Sequence, residues 1–183
     1  MNRPNGFSRL RKQPESPGRV EIIPASEEQR QILANLLQLY AYDFSEFCDI
    51  EFEADGRFVY KDLPLYWREP HRHAFLVRTD NKLAGFALVK LGSEISGDPN
   101  VWDLVEFFVI RGLRRRGIGT KTAHEVWKKF PGRWEVRVLE SNQTARQFWE
   151  RTIKRFVGKA VRPSRFEKEG DRWFAYAFES SSQ

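Results

Sequence analysis

The sequence predicts an α/β (α+β) fold, one mixed sheet with helices on both faces. Two observations carry that expectation. β-branched and aromatic runs at residues 20–23, 74–78, 83–89, 102–110 and 134–139 are bounded by turn residues, as strands are. Between them lie segments whose apolar residues recur at helical spacing, giving the order β-α-connector-β-β-β-α-β-α-β-β.

Each element has its own signal. Residues 1–19 hold Arg3, Arg9, Arg11, Lys12 and Arg19 against Glu15 alone, with Pro4, Pro14 and Pro17, and read as a basic flexible arm before a single domain at 20–183. Val20–Ile23 is a strand ended by Pro24. Ser26 and Gln29 form a capping box, and Ile32, Leu33, Leu36, Leu37 and Tyr40 make the stripe of a helix running to about Tyr42. Tyr42–Asp55 mixes aromatics with Asp43, Glu46, Asp49, Glu51, Glu53 and Asp55. It reads as a solvated connector or as a rim favouring a cationic amine. Tyr66 and Trp67 seat the next stretch on the core or line a pocket.

Ala74–Arg78 and Leu83–Val89 form a hairpin through Thr79-Asp80-Asn81-Lys82, and Gly85 marks a bulge or a close backbone approach. After the strand Trp134–Leu139, Ser141 or Asn142 caps a helix carrying Ala145, Phe148, Trp149 and Ile153. Strands are expected near Gly158–Val161 and at Trp173–Phe178, separated by a loop of charge and proline.

Composition bounds the class. The chain has 183 residues, 40% hydrophobic, with six Trp and 15 Phe, enough for one packed core. No apolar run is long enough to span a membrane. Cys48 is the only cysteine, which excludes an internal disulfide and fits a reducing cytoplasm. The net charge of +6 is concentrated in the arm and at Arg111–Arg116. Such charge attracts nucleic acid or a polyanionic cofactor equally. Nucleic acid is the less favoured partner, because no helix-turn-helix, zinc-finger or stacking-sheet signature is present. His71 and His73 could begin a metal site, but no third ligand of suitable spacing follows, so no metal is expected.

The stretch Val109–Phe130 organises the rest. A strand ending at Phe108 turns through Arg111, Arg114, Arg115, Arg116, Gly117 and Gly119 into a helix with Ala123, Val126, Trp127 and Phe130 on one stripe. The first amides of such a helix are unpaired and, with its dipole and the nearby arginines, favour a phosphate. The glycines keep Cβ atoms away from a ligand at the backbone. The spacing fits neither a P-loop nor the dinucleotide fingerprint. A solvated basic loop is the alternative.

Arg114-x-x-Gly117-x-Gly119, with Ile118 between the glycines, resembles the RxxGxG pattern of the GNAT acetyltransferase superfamily. Asn142-x-x-Ala145 with an aromatic seven residues after the asparagine is similar to its NxxAxxxY helix. YDFSEF at 42–47, YW at 66–67, AGFALV at 84–89 and FW at 148–149 resemble a poorly characterised bacterial group of predicted acetyltransferases. The resemblance covers residues 20 to 178. It implies a mostly antiparallel sheet whose strands four and five splay apart, and acetyl-CoA as acyl donor. Backbone groups near Phe108 and Val109 would bond the pantetheine arm. The segment Arg114, Arg115, Arg116, Gly117, Ile118, Gly119 and Thr120 would take the diphosphate, with Asn142 and Trp149 also at the cofactor.

Glu106 is the candidate catalytic base, since several GNAT enzymes place one on this strand. Aromatic neighbours would raise its pKa. The alternative is a structural ion pair with an arginine. Asp103 is second choice, on the opposite face of a regular strand. Trp149 departs from the family's tyrosine, whose phenol can protonate a thiolate; an indole N–H cannot, leaving Tyr40, Tyr60, Tyr66 or solvent. The implied activity is acetyl-CoA-dependent transfer to an amine. The acceptor is a small-molecule amine or a protein N-terminus or lysine, and a homodimer is compatible. The other implied role is an acyl-CoA-binding sensor or partner subunit without catalysis.

Overall fold

A computed structural model describes residues 18–181; the predicted arm lies outside the described residues as far as residue 17. Seven strands form one sheet in the order β1-β2-β3-β4-β5-β7-β6. They are β1 (Val20–Pro24), β2 (Arg72–Thr79), β3 (Lys82–Leu91), β4 (Val101–Val109), β5 (Gly132–Leu139), β6 (Ser164–Lys168) and β7 (Asp171–Ser180). Every pairing is antiparallel except β4 with β5. The helices are α1 (Arg30–Phe44), α2 (Ile118–Lys129) and α3 (Gln143–Val157).

Helix α1 follows a short 3-10 turn closed by the expected capping box, in which Gln29 Oε1 accepts the Ser26 N–H at 3.1 Å. It buries Leu33, Leu36 and Leu37 against Leu76, Phe86, Leu88 and Phe108 on one face of the sheet. Helices α2 and α3 cover the other face, where Ala123, Val126, Trp127 and Ile153 meet Val89, Leu104, Trp134 and Val136. A side chain as fully enclosed as Leu33 contributes about 2 kcal/mol by leaving water.

Both tight hairpins use two consecutive residues at positive φ, matching the right-handed twist of the strands they join. Asp80 (φ 50°) and Asn81 (φ 61°) join β2 to β3 as expected. Glu169 (φ 55°) and Gly170 (φ 85°) join β6 to β7. This second hairpin corrects the expectation of a strand near Gly158–Val161. Gly158 (φ 78°) closes α3 by donating its N–H to the Lys154 carbonyl at 3.0 Å, and residues 159–163, including Pro163, pair with no strand. The segment expected to be a charged loop supplies β6 instead, because Ser164 onward can pair with β7.

Two irregularities shape the sheet's centre. The β2–β3 register shifts between Val77 and Arg78, leaving Ala84 as the extra residue beside Gly85. A Cβ on Gly85 would lie 1.9 Å from the Phe108 carbonyl oxygen, so Gly85 marks both a bulge and a close approach. The β3–β4 register shifts between Leu88 and Val89. Leu88 pairs with Glu106 and Val89 with Leu104, which leaves Val105 as the inserted residue on β4.

Candidate active site

Strands β4 and β5 pair over three positions only: Val101 with Arg133, Trp102 with Trp134, and Asp103 with Glu135. Beyond Asp103 they part, and a cavity of about 300 Å³ opens between Leu104–Phe107 and Arg137–Leu139. Tyr40 and Phe44 of α1 line it from one side of the sheet, and Ala145 and Trp149 of α3 from the other. The splay therefore opens a passage through the sheet. From Leu104 onward the β4 edge facing β5 has no strand partner, so its polar backbone groups are available to an extended ligand.

The inserted Val105 changes which side chains face that passage. Alternation alone would place Asp103 and Glu106 on opposite faces, and that expectation is corrected here. Glu106 pairs with Leu88 and Asp103 with Lys90; Leu88 and Lys90 are two residues apart, so both carboxylates face the α1 side. Arg137 reaches the same space from β5. Its Nη1 donates to Asp103 Oδ2 at 2.7 Å and lies 4.0 Å from Glu94 Oε2. Glu94 is also held by Lys90 and, at 2.8 Å, by Lys168, and these cations keep its carboxyl down at about 2.

Glu106 behaves differently. Burial raises its carboxyl to about 7, even though the Tyr40 phenol, Arg137 and the Tyr60 phenol all favour the charged form. Glu106 lines the cavity and is partly open to it, while Asp103 is fully buried (0% exposed) and spent on Arg137. Burial also raises Asp103, against the pull of Arg137. Of the two candidates, Glu106 is the one a ligand can reach. The alternative of an ion pair with an arginine falls to Asp103.

The expected cradle lies at the end of β4. Gly117 at φ 78° starts α2, and no side chain caps it. The first bond closing the helix runs from the Lys121 N–H to the Gly117 carbonyl at 3.0 Å, leaving the Ile118, Gly119 and Thr120 amides ahead of it. Arg115 is exposed beside them, at φ 62°. The two glycines are favoured for different reasons. Gly117 has open space around its Cβ position but a left-handed backbone, whereas a Cβ on Gly119 would sit 3.1 Å from the Phe148 ring.

Arg114, expected among the diphosphate ligands, is tied to the protein's own groups. Its backbone N–H bonds the Arg111 carbonyl at 3.2 Å, and its Nε donates to the Val109 carbonyl at 2.7 Å. Its Nη2 binds Asp43 of α1, which also accepts from Arg111 Nε at 2.7 Å. Arg114 thus fastens the loop to α1 through two of its guanidinium nitrogens, one on a carboxylate and one on a carbonyl. Asn142 caps α3 as expected, its Oδ1 accepting the Ala145 N–H at 2.9 Å, and it also lines the cavity. Trp149 is 6% exposed and packs edge-on to Phe107 at 5.0 Å.

Arg137 is not among the residues the sequence points to, and Asp43 appears there only as one acid of the 42–55 segment, not as a partner of Arg114. A charged residue alternating between Val136 and Val138 was a visible signal for Arg137, but its partners lie on other elements. The histidine pair shows no ligand geometry. His73 packs against Phe130 (4.6 Å) and Trp102 (5.8 Å) with tilted rings, and among the described residues no group of three or more His, Cys, Asp or Glu could hold a metal. No helix of the described residues is long and apolar enough to cross a membrane.

With this geometry in place, comparison with known proteins assigns a class. The profile of the Acetyltransferase (GNAT) family matches residues 33–153, and the chain belongs to that family of acyltransferases. Comparison with curated proteins gave no significant match. Solved structures share the fold. An acetyltransferase from Thermus thermophilus superposes with a TM-score of 0.66 at 17% identity, covering 87% of this chain and 96% of that one. Arabidopsis thaliana NAA60 in complex with a bisubstrate analogue gives 0.57 at 18% identity, covering 88% and 98%. A spermidine N-acetyltransferase SpeG chimera from Vibrio cholerae and hSSAT gives 0.57 at 11%, covering 88% and 96%.

Proposed function

We propose that the protein is an acetyl-CoA-dependent N-acetyltransferase in which an amine attacks the thioester directly and Glu106 takes its proton. The observation that carries this reading is the position of Glu106. Its carboxylate faces the gap where β4 and β5 part, on the same strand that ends in the uncapped start of α2.

The chain's own groups suit the donor. The Ile118, Gly119 and Thr120 amides and Arg115 would hold the diphosphate, and the unpaired β4 edge near Phe108 would hold the pantetheine arm. When bound, acetyl-CoA supplies an acyl group on a thioester: the C–S bond breaks as the C–N bond forms, and the proton leaving nitrogen balances the charge on sulfur. Glu106, raised to about 7, is poised to accept a proton near neutral pH. Tyr40 and Tyr60 are raised further by burial and by Glu106, so they serve as hydrogen-bond donors to the base and are poor acids for a thiolate. With an indole at position 149, solvent protonates the sulfur. A lone thiol at Cys48, pushed up by burial, suits a reducing cytoplasm.

Trp149 and the raised phenols also support a second reading, an acyl-CoA-binding module without useful turnover. Calorimetric titration of acetyl-CoA into wild-type, Gly117→Glu and Gly119→Glu proteins tests the common part: saturable heat is expected from the wild type alone. Free-thiol release across an amine panel then separates the two. Release that disappears in Glu106→Gln supports the enzyme, and binding without release supports the module.

A further inference from the structure

We propose that the acceptor is a small primary amine carrying a single positive charge on an aromatic body, an arylalkylamine, seated in the α1 side of the cavity. The inference rests on the acyltransferase reading and deepens it.

The walls come first. Facing Glu106 on this side are the rings of Tyr40, Phe44, Phe58, Tyr60 and Trp173. Phe58 is held there through its backbone. Gln38 of α1 donates Nε2 to the Phe58 carbonyl at 2.8 Å and accepts the Phe58 N–H at 2.9 Å, as a neighbouring strand would. Such a wall gains free energy from a ring that stacks against it, beyond the area the ring buries.

The charges come second. The ionised groups lining the cavity are Glu106 and Arg137. Arg137 is matched by Asp103 at 2.7 Å, which leaves Glu106 as the counter-ion for one ammonium group. A second ammonium would be desolvated against rings with no carboxylate to meet it. None of the acidic residues of 43–55, which alone would suggest a polycation, lines the cavity. Asp43 is bound to Arg111 and Arg114, Asp55 is bound to Arg57, Glu46 lies 4.0 Å from Arg111, Asp49 and Glu51 are exposed, and Glu53 and Asp55 border a neighbouring cleft.

Size comes third. The whole cavity, from α1 to α3, measures about 300 Å³, the lower end of ligand pockets, so its α1 side suits no more than a single ring on a short chain.

Calorimetry at pH 8 on protein saturated with CoA tests the proposal with three probes: phenethylamine, spermidine, and a short peptide with a free N-terminus and a lysine. Phenethylamine is expected to bind at least about tenfold more tightly than either of the others. Ala41→Trp, which fills the cavity from α1, and Phe58→Ala, which removes a wall, should each weaken phenethylamine about tenfold while CoA binding is kept as the measure of an intact fold. Tighter binding of spermidine or peptide, or phenethylamine binding untouched by both variants, overturns the acceptor inference and leaves the acyltransferase reading standing. Absence of CoA binding to the wild type removes both.

Discussion

Asp103 and Glu106 are three residues apart on one strand, yet both carboxylates face α1, because Val105 is inserted between the pairs they make with β3. Without the insertion only one of them could share a face with Arg137. With it, Asp103 neutralises Arg137 and Glu106 is left open to the cavity. The bulge sits where β4 loses its pairing with β5, so the backbone irregularity that turns Glu106 to this face lies at the mouth of the passage.

The rate of acyl transfer should report Glu106. Its carboxyl lies at about 7, so kcat/KM, corrected for ionisation of the amine, is expected to rise tenfold per pH unit below that value and level off above it. The groups facing it are Tyr40 from α1, Tyr60 from the connector, Arg137 from β5 and Asp103 from its own strand. Glu106→Gln should lower kcat/KM by about 10²–10⁴-fold. Asp103→Asn removes a negative charge that raises Glu106, so its acid limb should move to lower pH.

The same carboxyl should cost stability. Its pKa is raised from 4.5 to about 7 on folding, so the folded state is favoured while Glu106 is protonated. That advantage is complete below about pH 4.5 and is lost as pH rises through about 7. Glu106→Gln should therefore be more stable than wild type by about 2–3 kcal/mol at pH 8 and nearly equal to it at pH 4. Urea unfolding at the two pH values reads the difference. A mutant that loses activity and gains stability is the signature expected of a buried base.

Asp43 offers a test in which two effects oppose. Neutralising a carboxylate near an anion site should, by Coulomb's law alone, strengthen CoA binding. Asp43→Asn also releases Arg111 and Arg114, which fasten the loop before α2. Loss of the preformed loop should dominate, weakening CoA about five- to tenfold. Calorimetry gives the sign, and tighter binding would mean that the latch does not shape the site.

Two glycine substitutions should rank by mechanism. Gly85→Ala forces a methyl group to within 1.9 Å of the Phe108 carbonyl and should cost about 3 kcal/mol or more. Gly117→Ala meets no atom and carries only its left-handed backbone, at about 1 kcal/mol. Thermal unfolding separates them, and equal losses would contradict the close approach of β3 to β4.

The sequence by itself determined what depends on neighbours along the chain. The helical stripe of α1, the Asp80-Asn81 hairpin, the Asn142 cap and the glycine-bearing start of α2 are local patterns, and each appears where its residues predict it. The motif spacing was enough to indicate the family that residues 33–153 match. What only the tertiary structure decided is which groups meet across elements. Arg114 bonds to α1 because Asp43, 71 residues away, lies there. Glu169 and Gly170 close a hairpin because β7 offers an edge to β6, although Glu-Gly carries a weak turn signal. Asp103 and Glu106 share a face because β3 imposes a register that inserts Val105. Alternation along a strand is a local rule, and only the partner strand decides where it is broken.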